Sequence, residues 1–96
     1  MSLLVITRFT IDPRDAAELR ARHAALVAST RERSAGLTEA RLGRLSDESW
    51  LGVWRWTSPE HLRAARESAP DDPTATAAFS LARGITAEEV QLVDEH

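Results

Sequence analysis

The residues with the most chemistry in them lie close together. All three tryptophans of this 96-residue chain fall in Trp50–Trp56, WLGVWRW, in a sequence with no tyrosine and two phenylalanines. In a strand, Trp50, Gly52, Trp54 and Trp56 share one face, with the glycine as a gap between large rings. Such a face can be an aromatic wall for a planar ligand, its indole N–H groups donating to a substrate oxygen. It can equally be core packed beneath helices. His23 falls on the apolar stripe of a predicted helix. There it can act as general base toward a phenolic or enolic proton, or be a half-buried side chain satisfied by a neighbouring carbonyl. Thr7 offers a hydroxyl as polar anchor, or is present because threonine suits strands.

The remaining chemistry is narrower. His61 is expected in the first turn of a helix, where the dipole disfavours its charged form, and His96 is the last residue. Three separated histidines, with no HExxH pattern and no cysteine, predict no metal site and no disulfide. No glycine-rich phosphate loop and no G-x-S-x-G elbow is present. The net charge is −3, and the twelve cationic side chains are all arginine, scattered from Arg8 to Arg83, so no nucleic-acid partner is expected. The start, MSLLVITRFT, lacks a basic leader and is too short to span a bilayer, which predicts a cytoplasmic protein with no membrane partner. The lysine-free, alanine-rich composition suits a GC-rich bacterial genome.

Residues 1–96 are expected to form one domain, and its elements position these groups. Leu3–Ile11 is apolar on both parities and predicts a strand covered on much of both faces. Asp12-Pro13 then opens a helix running to about Ser34 and stopping at Gly36. Its inward stripe is Ala16, Leu19, His23, Leu26 and Thr30, widened by Val27, with Arg14, Arg20, Arg31 and Arg33 toward water. Leu37–Leu45 and Trp50–Trp56 predict a hairpin turning at Ser46–Ser49. Ser58-Pro59 caps a second helix carrying Leu62, Ala65 and Ala69. Asp72-Pro73 recaps a continuation with Phe79 inward, ending at Gly84 with Arg83 in its last turn. Glu88–Asp94 alternates like a strand, although Thr86 and Glu89 can instead cap a helical turn.

The order β-α-β-β-α-β is that of a ferredoxin-like α+β fold, a four-stranded antiparallel sheet with helices on one face. Leu4, Ile6, Leu51 and Val53 would sit on the opposite face. An apolar patch of that kind predicts a homodimer with the two sheets facing each other.

This order, together with the segment LGVWRWTSPEHLRAA, resembles the antibiotic biosynthesis monooxygenase family of dimeric α+β barrels. The resemblance covers nearly the whole chain. It implies a pocket between helices and sheet, and a cofactor-independent monooxygenase acting on a planar aromatic, polyketide-like or quinol substrate. Trp56 matches the family's tryptophan at the end of the third strand. Gly52 stands where the polyketide oxygenases have asparagine, Leu62 where they have tyrosine, and Ala65 where many relatives have histidine. The haem-degrading branch has tryptophan at the Ala65 position, asparagine at Thr7 and a ligating histidine near Arg83, so none of its residues is matched. The resemblance thus implies Trp56 as a catalytic candidate, and His23, placed beneath the same pocket by the apolar stripe of its helix, is the second. Thr7, Trp50, Gly52, Trp54, Leu62, Ala65 and Phe79 are the candidate substrate contacts. The competing expectation is a non-catalytic small-molecule-binding or interaction dimer of the same fold; a cyclase-like enzyme needs only a general acid/base.

Overall fold

The computed structural model describes residues 2–96. Four strands, β1 (Leu3–Thr10), β2 (Leu37–Arg44), β3 (Ser49–Trp56) and β4 (Arg83–Gln91), form one antiparallel sheet in the order β2-β3-β1-β4. Helices α1 (Ala16–Arg33), α2 (Pro59–Ser68) and α3 (Pro73–Phe79) complete a ferredoxin-like α+β fold. The β-branched run of β1 occupies the centre of the sheet, paired with β3 on one side and β4 on the other.

Register decides which side chains meet the helices. Leu3, Val5, Thr7 and Phe9 lie opposite Trp56, Trp54, Gly52 and Trp50 in turn, and this is the helix-covered face. Leu4, Ile6, Leu51 and Val53 take the other parity and remain only partly covered in the single chain. Ile11, just beyond β1, is fully buried with Leu19 and Trp50. A second cluster joins Leu3, Leu37, Trp56, Leu62 and Ala65, tying α2 to the sheet.

Helix entries follow local capping chemistry. Asp12 accepts from the Arg14 N–H at 3.0 Å and starts a 3-10 turn, Pro13–Asp15, that leads into α1. The Ser58 hydroxyl accepts from the His61 N–H at 3.3 Å. Asp72 does more than cap. Its Oδ1 accepts from the Thr74 N–H (2.9 Å) and hydroxyl (2.7 Å), while its Oδ2 accepts from Ser29 and Arg33 of α1, both at 2.8 Å. One buried carboxylate thereby ties α1 to α3, and the hydroxyl of Thr74, joined by Ser29, the Thr74 N–H and Arg33, holds its pKa at about 2.

Several boundaries differ from the sequence expectation. Gly36 does not end α1 by a left-handed turn; the cap is Ser34 in an extended conformation. Gly36 is instead a point of close approach, since a Cβ there would lie 2.3 Å from His61 Cβ. The last helix stops at Phe79 and not at Gly84. Arg83 opens β4 and offers its carbonyl to the Thr10 hydroxyl at 3.2 Å, so it is not a helix C-terminal cation. Gly84, with φ of 61°, supplies the extra residue where the β1–β4 register shifts. The last strand thus begins before Glu88 and ends at Gln91, and the capped-turn alternative for Thr86 and Glu89 is not adopted.

Candidate functional site

The helices do not fill the space over the sheet. A cavity of about 280 Å³ lies between them, and its lining brings together Thr7, His23, Gly52, Trp54, Trp56, Leu62, Ala65 and Phe79. Its origin is steric. Ala65, Ala69, Ala75, Ala78, Ala82 and Ala87 line it from α2, the 3-10 turn after it, α3, the chain leading into β4 and β4 itself, where larger side chains would close it. Leu19, Leu26 and Thr30 of α1 form the roof, one helical stripe with His23.

Within the aromatic wall the three indoles have different fates. Trp50 shares the face but not the cavity; it packs with Ile11 and Leu19, with the Arg44 guanidinium 4.6 Å from its ring centroid. Its Nε1 is buried without a partner among the described residues. Trp50, expected as a substrate contact, is thus seated against Leu19 outside this cavity, and with Arg20, His23, Leu42 and Arg44 it borders a second hollow. Trp56 lines the cavity but is only 2% exposed, locked between Leu37 and Leu62. Trp54 is half-buried and packs toward Leu26, Ala75 and Ala78. Its ring lies 6.4 Å from that of Trp56, tilted by 37°.

His23 meets Trp54 edge-on, with ring centroids 5.8 Å apart and planes at 75°. The Trp54 Nε1–H donates to His23 Nε2 at 3.2 Å. An indole nitrogen only donates, so this bond places the imidazole proton on Nδ1 and the basic lone pair on Nε2. Burial lowers the His23 pKa, which keeps the ring neutral at neutral pH. The lone pair of the neutral imidazole is thus taken up by the Trp54 N–H.

Phe79 was expected to point inward. It is 49% exposed and stands at the cavity mouth with Ala82 and Ile85, because α3 ends at that residue. Arg33 departs from the wet side of α1 expected of a charged side chain. Its side chain instead bends inward to Asp72 and Ser68 and borders the cavity, as does Arg66, which pairs with Glu89 of β4. The spacing 19-23-26-30-33 continues the inward stripe and is the signal that would have found Arg33. His61 hydrogen-bonds Thr57 and Ser58 at the α2 cap, away from the cavity lining. Among the described residues no three His, Cys, Asp or Glu side chains are grouped to hold a metal ion. No helix among them is long and apolar enough to cross a membrane.

Comparison with solved structures finds the same fold in SnoaB, a cofactor-independent oxygenase from Streptomyces nogalater. The two are 23% identical with a TM-score of 0.74, covering 98% of this chain and 95% of that one. Rv0793 from Mycobacterium tuberculosis is 22% identical at a TM-score of 0.72, covering 99% and 98%. A variant of MhuD, solved with two manganese protoporphyrin IX molecules per active site, is 22% identical at 0.70, covering 98% and 97%. A search of curated proteins returns no match. The profile of one family, antibiotic biosynthesis monooxygenase, matches residues 2–81. By that match, which spans most of the sheet and all three helices, the chain belongs to the antibiotic biosynthesis monooxygenase family.

Proposed function

We propose that this protein is a cofactor-independent monooxygenase of a planar aromatic, polyketide-like or quinol substrate, working as a homodimer. The observation that carries this reading is the cavity of about 280 Å³ reaching His23, Trp54 and Trp56 at once. That volume is near the lower end of the ~300–1,000 Å³ of small-molecule sites, which suits a small planar ligand. The Trp54 indole, with that of Trp56 tilted 37° to it, gives it an aromatic wall, and Leu62 and Ala65 continue the lining beside Trp56. His23 takes the phenolic or enolic proton, leaving an electron-rich anion that reacts with dioxygen directly. Thr7 anchors a substrate oxygen. The half-covered outer face at Leu4, Ile6, Leu51 and Val53 is the surface a second copy would bury, sheet against sheet.

A second reading has one observation in its favour. Gly52, Leu62 and Ala65 place no polar group in the cavity at the positions where polyketide oxygenases and other relatives carry asparagine, tyrosine and histidine, which suits a non-catalytic small-molecule-binding dimer. Oxygen uptake separates the two. Wild type is expected to consume oxygen with anthrone or quinol substrates, with turnover reduced about a hundredfold in His23→Ala, the low end of general-base contributions. Binding of these compounds without uptake by well-folded protein would replace the monooxygenase reading by the second.

A further inference from the structure

Most of the cavity is hydrocarbon; besides Thr30, Arg33, Trp56 and Arg66, its polar side-chain groups are those of Thr7, His23 and Trp54. The Trp54 indole folds back over Gly52: a Cβ on that glycine would lie 3.9 Å from Nε1. Gly52 is the cross-strand partner of Thr7, and such Cα pairs are about 4.5–5.5 Å apart. His23 Nε2 is 3.2 Å from the same indole nitrogen. A donor and a basic acceptor therefore meet beside Gly52, on the sheet face that also carries Thr7.

We infer that this spot is a hydroxyl subsite, in which an aromatic or enolic O–H of the ligand inserts between Trp54 and His23. The inference rests on the ligand-pocket reading above and adds which ligand atom goes where. Trp54 Nε1 can only donate, and His23 Nε2 in its present tautomer can only accept. A hydroxyl is the group that answers both, accepting from the indole while donating to the imidazole. A carbonyl or ether oxygen accepts only, so its entry breaks the Trp54–His23 bond and leaves Nε2 without a donor. An anion entering directly would face the Nε2 lone pair, so the neutral hydroxyl binds first.

Proton transfer then completes the exchange. The ligand O–H bond breaks and its proton moves to Nε2, giving an imidazolium with protons on both nitrogens and a ligand oxyanion. That oxyanion accepts from His23 Nε2–H and from Trp54 Nε1–H together, so the tryptophan changes from partner of the base to partner of the product anion. Trp54, two residues before the position matched to the family's tryptophan, thereby becomes a substrate-touching residue. The lowered pKa of His23 keeps the accepting form in place before the ligand arrives.

The test uses 1-naphthol and 1-methoxynaphthalene, titrated into wild type, Trp54→Phe and His23→Leu. Binding is followed by indole N–H resonances and tryptophan fluorescence. In wild type the naphthol is expected to bind about tenfold more tightly, a factor equal to ~1.4 kcal/mol, and to shift the Trp54 indole resonance. Both variants are expected to reduce that preference to within about twofold, and they control for the bulk of the extra methyl group. Equal affinities in wild type, or a preference that survives either substitution, would overturn the subsite. If neither compound moves any indole resonance at millimolar concentration, the ligand-pocket reading fails and the subsite with it.

Discussion

Replacing Ala65 by leucine tests whether the space over the sheet is a true cavity. Ala65 is buried against Leu62 and Trp56 and also lines the cavity. The substitution adds three carbons at ~0.8 kcal/mol per buried CH₂, a ceiling of about 2.4 kcal/mol. Because the cavity opens to solvent past Phe79 and Ile85, less than half of that is realised, about 1 kcal/mol of added stability. In a domain of this size such a gain raises Tm by about 4–8 °C. In a close-packed core the same change would overpack and cost about 1–3 kcal/mol, so the sign decides. Thermal and urea unfolding at one fixed protein concentration read the stability, and an aromatic titration reads the cavity. The expected result is a more stable protein that binds naphthol about tenfold more weakly, the trade common where function needs an unfilled site. A destabilised variant with unchanged binding would show a packed core in place of the cavity.

Three further outcomes follow from the fold. Gly36→Ala is expected to cost about 1–3 kcal/mol by overpacking in chemical denaturation, because the new Cβ would sit 2.3 Å from His61 Cβ. Adding His61→Ala would not restore the loss, since the obstructing Cβ remains, whereas His61→Gly would recover part of it. Asp72 has its folded pKa depressed from 3.8 to about 2, so its stabilising contribution is present above about pH 4 and lost as pH falls toward 2. Thermal melts across that window are expected to show the fall in wild type and a flatter profile, from a lower neutral Tm, in Asp72→Asn. Ile6→Glu, on the outer sheet face, is expected to convert a dimer to a species near 10.6 kDa by light scattering; a wild type already at that mass at micromolar concentration would exclude the dimer.

How far these features were legible depends on how local their causes are. Asp12-Pro13, Ser58-Pro59 and Asp72-Pro73 mark helix entries because capping is settled within three residues, and all three are used as caps. Alternation in β1 and β3 separates the two sheet faces because the pleat repeats every two residues. Parity does not tell how closely each part of a face is covered, which is why Trp50 is seated against Leu19 while Trp54 lines the cavity. Phe79 and Arg33 escaped for a related reason: their directions depend on where α3 stops and on a carboxylate 39 residues away from Arg33. Gly36 had the appearance of a helix stop, yet its constraint comes from His61 across a tertiary contact. The bond between Trp54 and His23, 31 residues apart, exists only once helix and sheet are docked, and no pattern in either segment announces it.

The proposed ligand is a planar aromatic hydroxyl compound held in the cavity against Trp54 and His23. A crystal structure of the protein grown with 1-naphthol tests it most directly. The expected result is density for the fused rings beside the Trp54 indole, with the hydroxyl oxygen within hydrogen-bond distance of both Trp54 Nε1 and His23 Nε2, which have moved apart from 3.2 Å to admit it. An empty cavity at saturating ligand, with the direct Trp54–His23 bond intact, would contradict it.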